Sequence, residues 1–403
     1  MSLYGSMRTG VSGMNAQSNR LGTVAENIAN SNTTGYKRAS TEFSSMILPS
    51  GGGNYNSGGV ETQVRYSISQ QGGSSYTTSA SDLMINGGGF FIVSGNGGQN
   101  FLTRAGSFVP DKNGNLVNTA GYTLMGYEYK AGVDPTVVVN GFDGLVPVKL
   151  ADDGVVASGS TKGSMGATLP GNAATGDQHK SSLSVYDSQG NSRLLDFTYT
   201  KQAGNGVWSL TIVDRQTNTN LATQTLTFDA AGKLTPANPA PLSTAALGPF
   251  AGSGATLAPL SIDFSKTTQA GEKFETDGGT IDGSKPSKMT GFEIDKEGIV
   301  YAKYGDNLVP KFRIALANVQ SPDKLQPESG NVYTQGADSG VIVTGFAGSG
   351  AFGDIKSKAL ENSNVDIANE LTSMIEAQRN YTANSKVFQT ASDLLDVLVN
   401  LKR

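Results

Sequence analysis

Apolar positions at the two ends of the chain follow a seven-residue period. Near the C-terminus Ile367, Met374, Tyr381, Phe388 and Leu395 recur at that spacing, with Leu371, Gln378, Ser385, Ser392 and Val399 four residues after each. This spacing predicts one long amphipathic helix over the last forty residues. Ser363-x-x-Asp366 supplies its start, and Lys402 and Arg403 lie at the negative end of its dipole. From Leu394 to Leu401, Leu398 included, the stretch is apolar nearly all round, which suits burial on every side better than lying on a core. At the N-terminus Met7, Met14, Leu21 and Ile28 form a second heptad stripe, with Leu3, Val11 and Ala25 on the same face. It stops in Asn30-Ser31-Asn32-Thr33-Thr34-Gly35, residues that favour turns and caps. Gly5, Gly10, Gly13 and Gly22 each cost about 1 kcal/mol against alanine in a helix. Both terminal helices are therefore expected to be largely unfolded in a free monomer and to form against copies from other subunits.

Between the helices the period shortens. Residues 36–70 are polar and glycine-rich around Gly51-Gly52-Gly53, and predict an extended linker. From about Ser74, short apolar runs such as Phe90–Val93, Phe101–Thr103 and Tyr122–Met125 predict strands. A second β-rich block carries strands near Leu183–Tyr186, Leu194–Tyr199, Val207–Val213 and Gln224–Phe228, with stretches of low pattern at 154–177 and 236–259. Strands resume at Gly291–Ile294, Ile299–Tyr304, Phe312–Val319 and Val341–Val343. Asp111, Asp187, Asp229 and Asp295 each precede a glycine by three residues between such runs. An aspartate accepting from the backbone two residues on, and a glycine supplying positive φ, predict four like hairpin turns. The glycine sits fourth rather than sixth, which separates these turns from calcium loops.

The order predicts a mainly β protein with α-helical termini and nested, discontinuous domains: two β-rich domains plus a terminal coiled-coil-like helix pair. Residues 1–30 and 364–403 form the helical domain, 31–73 the linker, 74–145 and 285–363 the proximal β domain, and 146–284 an inserted outer β domain.

Composition narrows the function. Charged residues are 16% of 403 and the net charge is −4, so no basic surface for nucleic acid is expected. Gly at 52 residues fits many tight turns. There is no cysteine, hence no disulfide or thiolate metal site, and no apolar run long enough to span a membrane. The opening residues lack the charged region and apolar core of a cleavable signal peptide, so none is expected. The lone histidine, His179, reads as a solvated loop residue. Gly171-x-x-x-x-Gly176 lacks the Lys and Ser/Thr of a phosphate loop. Without catalytic, cofactor-binding or metal-ligating residues, no enzyme and no cofactor are expected. Acidic residues outnumber basic ones on the C-terminal helix, which argues against a membrane-surface helix.

Three stretches resemble the bacterial flagellar axial proteins, the rod and hook group. They are Asn27 to Lys37; Ala359 to Asp366 with Met374 to Tyr381; and Phe101 to Phe108 continuing to Tyr122. The insert, with Val185 to Asn191, is similar to that of the hook branch. A distal rod protein, a hook–filament junction protein and a secreted non-enzymatic β-rich surface protein are the alternatives. The resemblance implies terminal helices lining an export channel as an inner tube, with β domains outside. Subunits would repeat in an open helical homopolymer, a flexible curved tube acting as a universal joint. It also implies contacts with the distal rod protein, the junction protein, the hook cap and the flagellar export apparatus, and a place in the extracellular hook. The expected polymer contacts are Met7, Met14, Leu21, Ile28, Ile367, Leu371, Met374, Tyr381, Phe388, Leu395 and Leu398. Asn27, Asn30, Gly35 and Tyr36 are expected to set how the first helix leaves for the linker.

Overall fold

The computed structural model describes residues 3–46, 59–130, 133–150, 154–235, 241–305 and 307–400. Two compact units divide the chain. One comprises Met1–Ala151, Phe292–Ala302 and Leu308–Arg403, the other Asp152–Gly291 and Lys303–Asn307. The outer block therefore runs from 152 rather than 146, because Val146 and Pro147 pair with Gly126 and Met125 of the proximal sheet.

In the first unit, helix α1 spans Leu3–Ala29 and helix α2 Ile367–Asn400. They run antiparallel, since Asn27 meets Glu370, Arg20 meets Glu376 and Gly10 meets Phe388, so the pair packs on itself within one chain, where helices formed only against other subunits were expected. The cap of α2 is Asp366 instead of Ser363. The Asp366 carboxylate accepts from the amides of Ala368 and Asn369, at 2.9 and 3.3 Å. Ser363 Oγ takes the Val365 amide in a turn before the helix. Lys402 and Arg403 lie outside the described residues.

The expected linker contains a hairpin. Strands β1 (Ala39–Met46) and β2 (Gly59–Tyr66) pair antiparallel from Ala39 with Tyr66 to Met46 with Gly59. Its polar composition hid it, because one α1 face that receives it is also polar. Ser12 Oγ bonds both the amide and the carbonyl of Val60, at 2.8 and 3.0 Å. Asn19 meets Thr62, and Thr23 meets Thr41. Gly51-Gly52-Gly53 falls outside the described residues.

The proximal sheet runs in the order Ile299–Tyr304, Asn307–Asn318, Thr123–Glu128, Phe90–Ser94, Asn100–Thr103, Val332–Thr334, Gln326–Glu328. Phe90–Val93 is buried throughout because the sheet has a core on each face. Phe91 and Val93 join Leu83, Phe108 and Leu124 on one, Phe90 and Ile92 join Leu102 and Tyr333 on the other. The strand expected at Val341–Val343 lies at Val343–Phe346.

In the second unit, Gln178–Tyr186, Ser192–Lys201, Val207–Asp214 and Thr219–Thr227 form an antiparallel meander. A five-stranded sheet is built around Lys162–Pro170. Met165, Ala167 and Leu169 alternate into a core with Tyr199, Trp208 and Leu210, a pattern its glycine and serine neighbours concealed. Leu257, from the second low-pattern stretch, and Leu260, just after it, join that core; residues 236–240 of the stretch lie outside the described ones. His179 is in a strand rather than a solvated loop. It pairs with Tyr199 and stacks on Phe274 at 4.9 Å, because the alternating strand turns its ring toward Trp208 and Phe274.

The four Asp-x-x-Gly turns share one geometry. Each carboxylate accepts from the amides two and four residues on, at 2.8–3.0 Å. Each glycine has φ between 76° and 84° and donates to the aspartate carbonyl.

Candidate functional site

The candidate surface lies on the helix pair. The row of α2 turned toward α1 is Glu370, Ala377, Asn384 and Ala391, itself a seven-residue repeat but small and polar. α1 answers with Gly10 and Gly13. A Cβ placed on Gly13 would lie 2.6 Å from Asn384 Nδ2 and one on Gly10 3.3 Å from the Asn384 carbonyl oxygen, so the two glycines leave the room that Asn384 occupies against α1.

The large apolar residues face elsewhere. Of the expected contact residues, Ile367, Leu371, Tyr381, Phe388 and Leu398 are exposed, while Met7, Met14, Leu21, Ile28, Met374 and Leu395 are half-buried. Within one chain they do not close into a continuous seam. Ile375, Val387, Leu394, Val397 and Val399 are exposed with them, and Tyr4 and Val11 on α1. The apolar run from Leu394 signalled part of this surface. The inner row carries no apolar period, because its members are small or polar.

Where the helices enter the β body, Asn27 acts as a strand partner. Its side-chain oxygen accepts the Ala39 amide and its nitrogen donates to the Ala39 carbonyl, at 2.9 and 2.7 Å. The same nitrogen donates to Glu370, whose other oxygen takes Arg38 Nε at 2.6 Å. Tyr36 donates its hydroxyl to Asn27. Burial, with Glu26 nearby, pushes that phenol well above its usual range. The Asn30 side chain donates to the Glu26 carbonyl, and Gly35, at φ 69°, presses on the backbone of Arg104 and Ala105.

The three stretches singled out in the sequence meet at Glu361, which is fully buried. Its carboxylate accepts from Lys37 Nζ at 2.6 Å, the Gly72 amide at 3.0 Å and Arg104 Nη1 at 3.1 Å. Its carbonyl takes the Gly35 amide at 2.7 Å. Arg104 also donates to the Gly87 carbonyl and stands over the Phe90 ring. Burial lowers the Lys37 ammonium below its ordinary pKa, against the pull of Glu361. Sequence reading identified these stretches but not that one carboxylate joins them. Among the described residues no group of three His, Asp or Glu side chains is placed to hold a metal, and no helix is long and apolar enough to cross a membrane.

Comparison with known proteins matches every part of this layout. Residues 7–37 match the flagella basal body rod protein family, and 84–158 the D1 domain of flagellar hook protein FlgE/F/G. Residues 156–284 match the flagellar basal body protein FlaE D2 domain, and 356–401 the C-terminal region of flagellar basal body rod FlgEFG proteins. The flagellar hook protein FlgE of Rhizobium meliloti (strain 1021) is 70% identical over 407 residues, with both chains covered in full. That of Brucella suis biovar 1 (strain 1330) is 47% identical, also in full, and that of Salmonella typhimurium (strain LT2) is 31% identical over 97% of this chain and 98% of its own. With its N-terminal, D1, D2 and C-terminal regions matched in order, the chain belongs to the flagellar hook protein family and is a structural subunit of the hook.

Proposed function

We propose that the subunit polymerises through the outward faces of its terminal helices, which form the inner layer of a curved, flexible tube that carries torque from rod to filament as a universal joint. The observation that carries this reading is the inversion of α2. A helix hairpin meant to stand alone turns its large apolar residues inward, whereas here Glu370, Ala377, Asn384 and Ala391 face α1 and Ile375, Leu394 and Leu398 remain 53–59% exposed. An apolar face of that kind marks an interaction surface. Repeated head to tail, such contacts do not close and give an open helical polymer.

Met7, Met14, Leu21 and Ile28 on α1, with Ile367, Leu371, Met374, Tyr381, Phe388, Leu395 and Leu398 on α2, are the proposed contacts. Asn27, Asn30, Gly35 and Tyr36 fix the exit of α1. The chemistry of the subunit is structural, with no catalytic step. The distal rod protein, the hook–filament junction protein, the hook cap and the export apparatus are its proposed partners. The test is elongation of sheared hooks seeded into purified subunit, followed by electron microscopy. Wild-type subunit should extend the seeds and Leu371→Asp/Leu398→Asp should not; extension by both would sink the assignment.

A further inference from the structure

Three segments meet where the helix pair and its hairpin join the β body of the first unit: residues 30–38, which turn from α1 into β1 within the helix layer, and the two passages to the body, 67–73 from β2 and 361–366 into α2. Each segment bonds to the same residue. Lys37 and Gly35 from the first, Gly72 from the second and Glu361 itself in the third meet at one carboxylate and its carbonyl. Arg104, from the body, completes the set. A second strut runs beside it: Asn364 accepts the Arg38 amide at 2.7 Å and donates to the Ser67 and Gln70 carbonyls. Lys37 Nζ also donates to the Gln70 carbonyl.

We infer that Glu361 is the keystone that locks the helix layer to the β body, so that the two turn as one rigid lever when torque arrives. Two separate passages, each free to twist about its own backbone, would let the body rotate on the helices, and the 30–38 turn would not be held to either. Pinned to one buried carboxylate, they can open only together, because releasing any one leaves a buried charge or a buried amide without its partner. The fit of residue types follows from this. Lysine takes one carboxylate oxygen and arginine the other, while glycine at 35 and 72 lets backbone amides come within bonding distance. A Cβ on Gly35 would lie 2.6 Å from the Arg104 and Ala105 backbone, and one on Gly72 would lie 2.0 Å from the Asn362 carbonyl oxygen. Compliance in the tube then resides between subunits rather than within this joint. The torque role rests on the tube proposed above; the locking itself does not.

Native-state hydrogen exchange on the monomer tests the lock directly. The amides of Gly35, Gly72 and Asn362, one from each segment and bonded to Glu361 O, Glu361 Oε1 and Gly73 O, should share protection factors within about threefold of one another, as a single opening unit does. Values spread by about tenfold or more would overturn the inference. In Lys37→Met/Glu361→Gln, which removes one charge of each sign, the three should separate while the Ile92 amide in the sheet keeps its protection. A folded double variant in which the three still open together would also overturn it. If that variant does not fold, the wild-type values decide alone. Hooks assembled from it should show greater torsional compliance in a tethered-bead assay, and unchanged compliance would reduce Glu361 to a stability element. Failure to form hooks would count against the helix-face assignment and leave the exchange result standing.

Discussion

Asn384 sits against Gly13 so closely that the glycine could not carry a methyl group without displacing the amide, whose nitrogen is 2.6 Å from the ideal Cβ position. Helix propensity alone favours alanine at position 13 by about 1 kcal/mol. Overpacking against Asn384 costs about 1–3 kcal/mol and opposes it. Gly13→Ala is therefore expected to weaken the helix pair in the native chain, and to stabilise it in an Asn384→Ala background. Thermal melts followed by circular dichroism at concentrations too low for assembly measure both. A stabilising Gly13→Ala in the native background would contradict the close approach.

Phe388 and Leu398 separate the stability of the subunit from that of the polymer. Leu398 is 59% exposed in the single chain, whereas Phe388 is 36% exposed and meets Gly10, so truncation to alanine should leave the monomer's melting nearly unchanged for Leu398 and lower it modestly for Phe388. If Phe388 is fully buried in the assembly, its loss costs about 3–5 kcal/mol there. Critical concentrations for elongation of seeded hooks measure the difference. A variant that melts early but elongates normally would place Phe388 in the subunit's own core.

Much of this arrangement was legible in the sequence, and the reasons differ by element. The terminal helices announced themselves because seven-residue periodicity survives whether a face is covered by its own chain or by another. The Asp-x-x-Gly turns were legible because their geometry is local, and all four adopt it. β1 and β2 were not, because Ser12, Asn19, Thr23 and Asn27 hold them by hydrogen bonds and leave no apolar alternation to read. The central strand Lys162–Pro170 was missed since its inward residues are Met165, Ala167 and Leu169 among glycines. The Glu361 knot joins residues up to 324 positions apart, and single-sequence patterns carry no information on such pairing.

Asn27 replaces a missing strand for Ala39, so its loss should be felt in the hairpin rather than in α1. Asn27→Ala leaves the buried Ala39 amide and carbonyl unpaired, at a cost of about 1–3 kcal/mol. Asn27→Asp keeps an acceptor for the amide, loses the donor to the carbonyl, and sets a second carboxylate beside Glu370. It should therefore be no better than alanine. Urea denaturation followed by far-ultraviolet circular dichroism, with hydrogen exchange at Ser40 and Thr41, measures the loss. An Asp variant as stable as the parent would refute the two-sided pairing.

Acid should unfold the second unit through three carboxylates, and its tryptophan reports the event. Asp196 is held below its ordinary pKa by hydrogen bonds from Arg215. At Asp214 and Asp282 burial acts in the opposite direction but is outweighed, by Arg193 and Thr217 at the first and by Thr161 and Lys162 at the second. The unfolded chain takes up these protons near the ordinary value of 3.8, while the folded unit still excludes them. In that interval the unfolded state binds more protons, so stability falls as pH falls. Trp208 is the only tryptophan in the sequence and is fully buried in this core. Urea midpoints from its fluorescence should be flat between about pH 7 and pH 5 and decline below about pH 4. Asp282→Asn should lower the midpoint at neutral pH and make the acid decline shallower, because it removes one of the groups that couples folding to proton release. Equal midpoints at about pH 3 and pH 6 would show that these carboxylates are not held in their charged form by the fold.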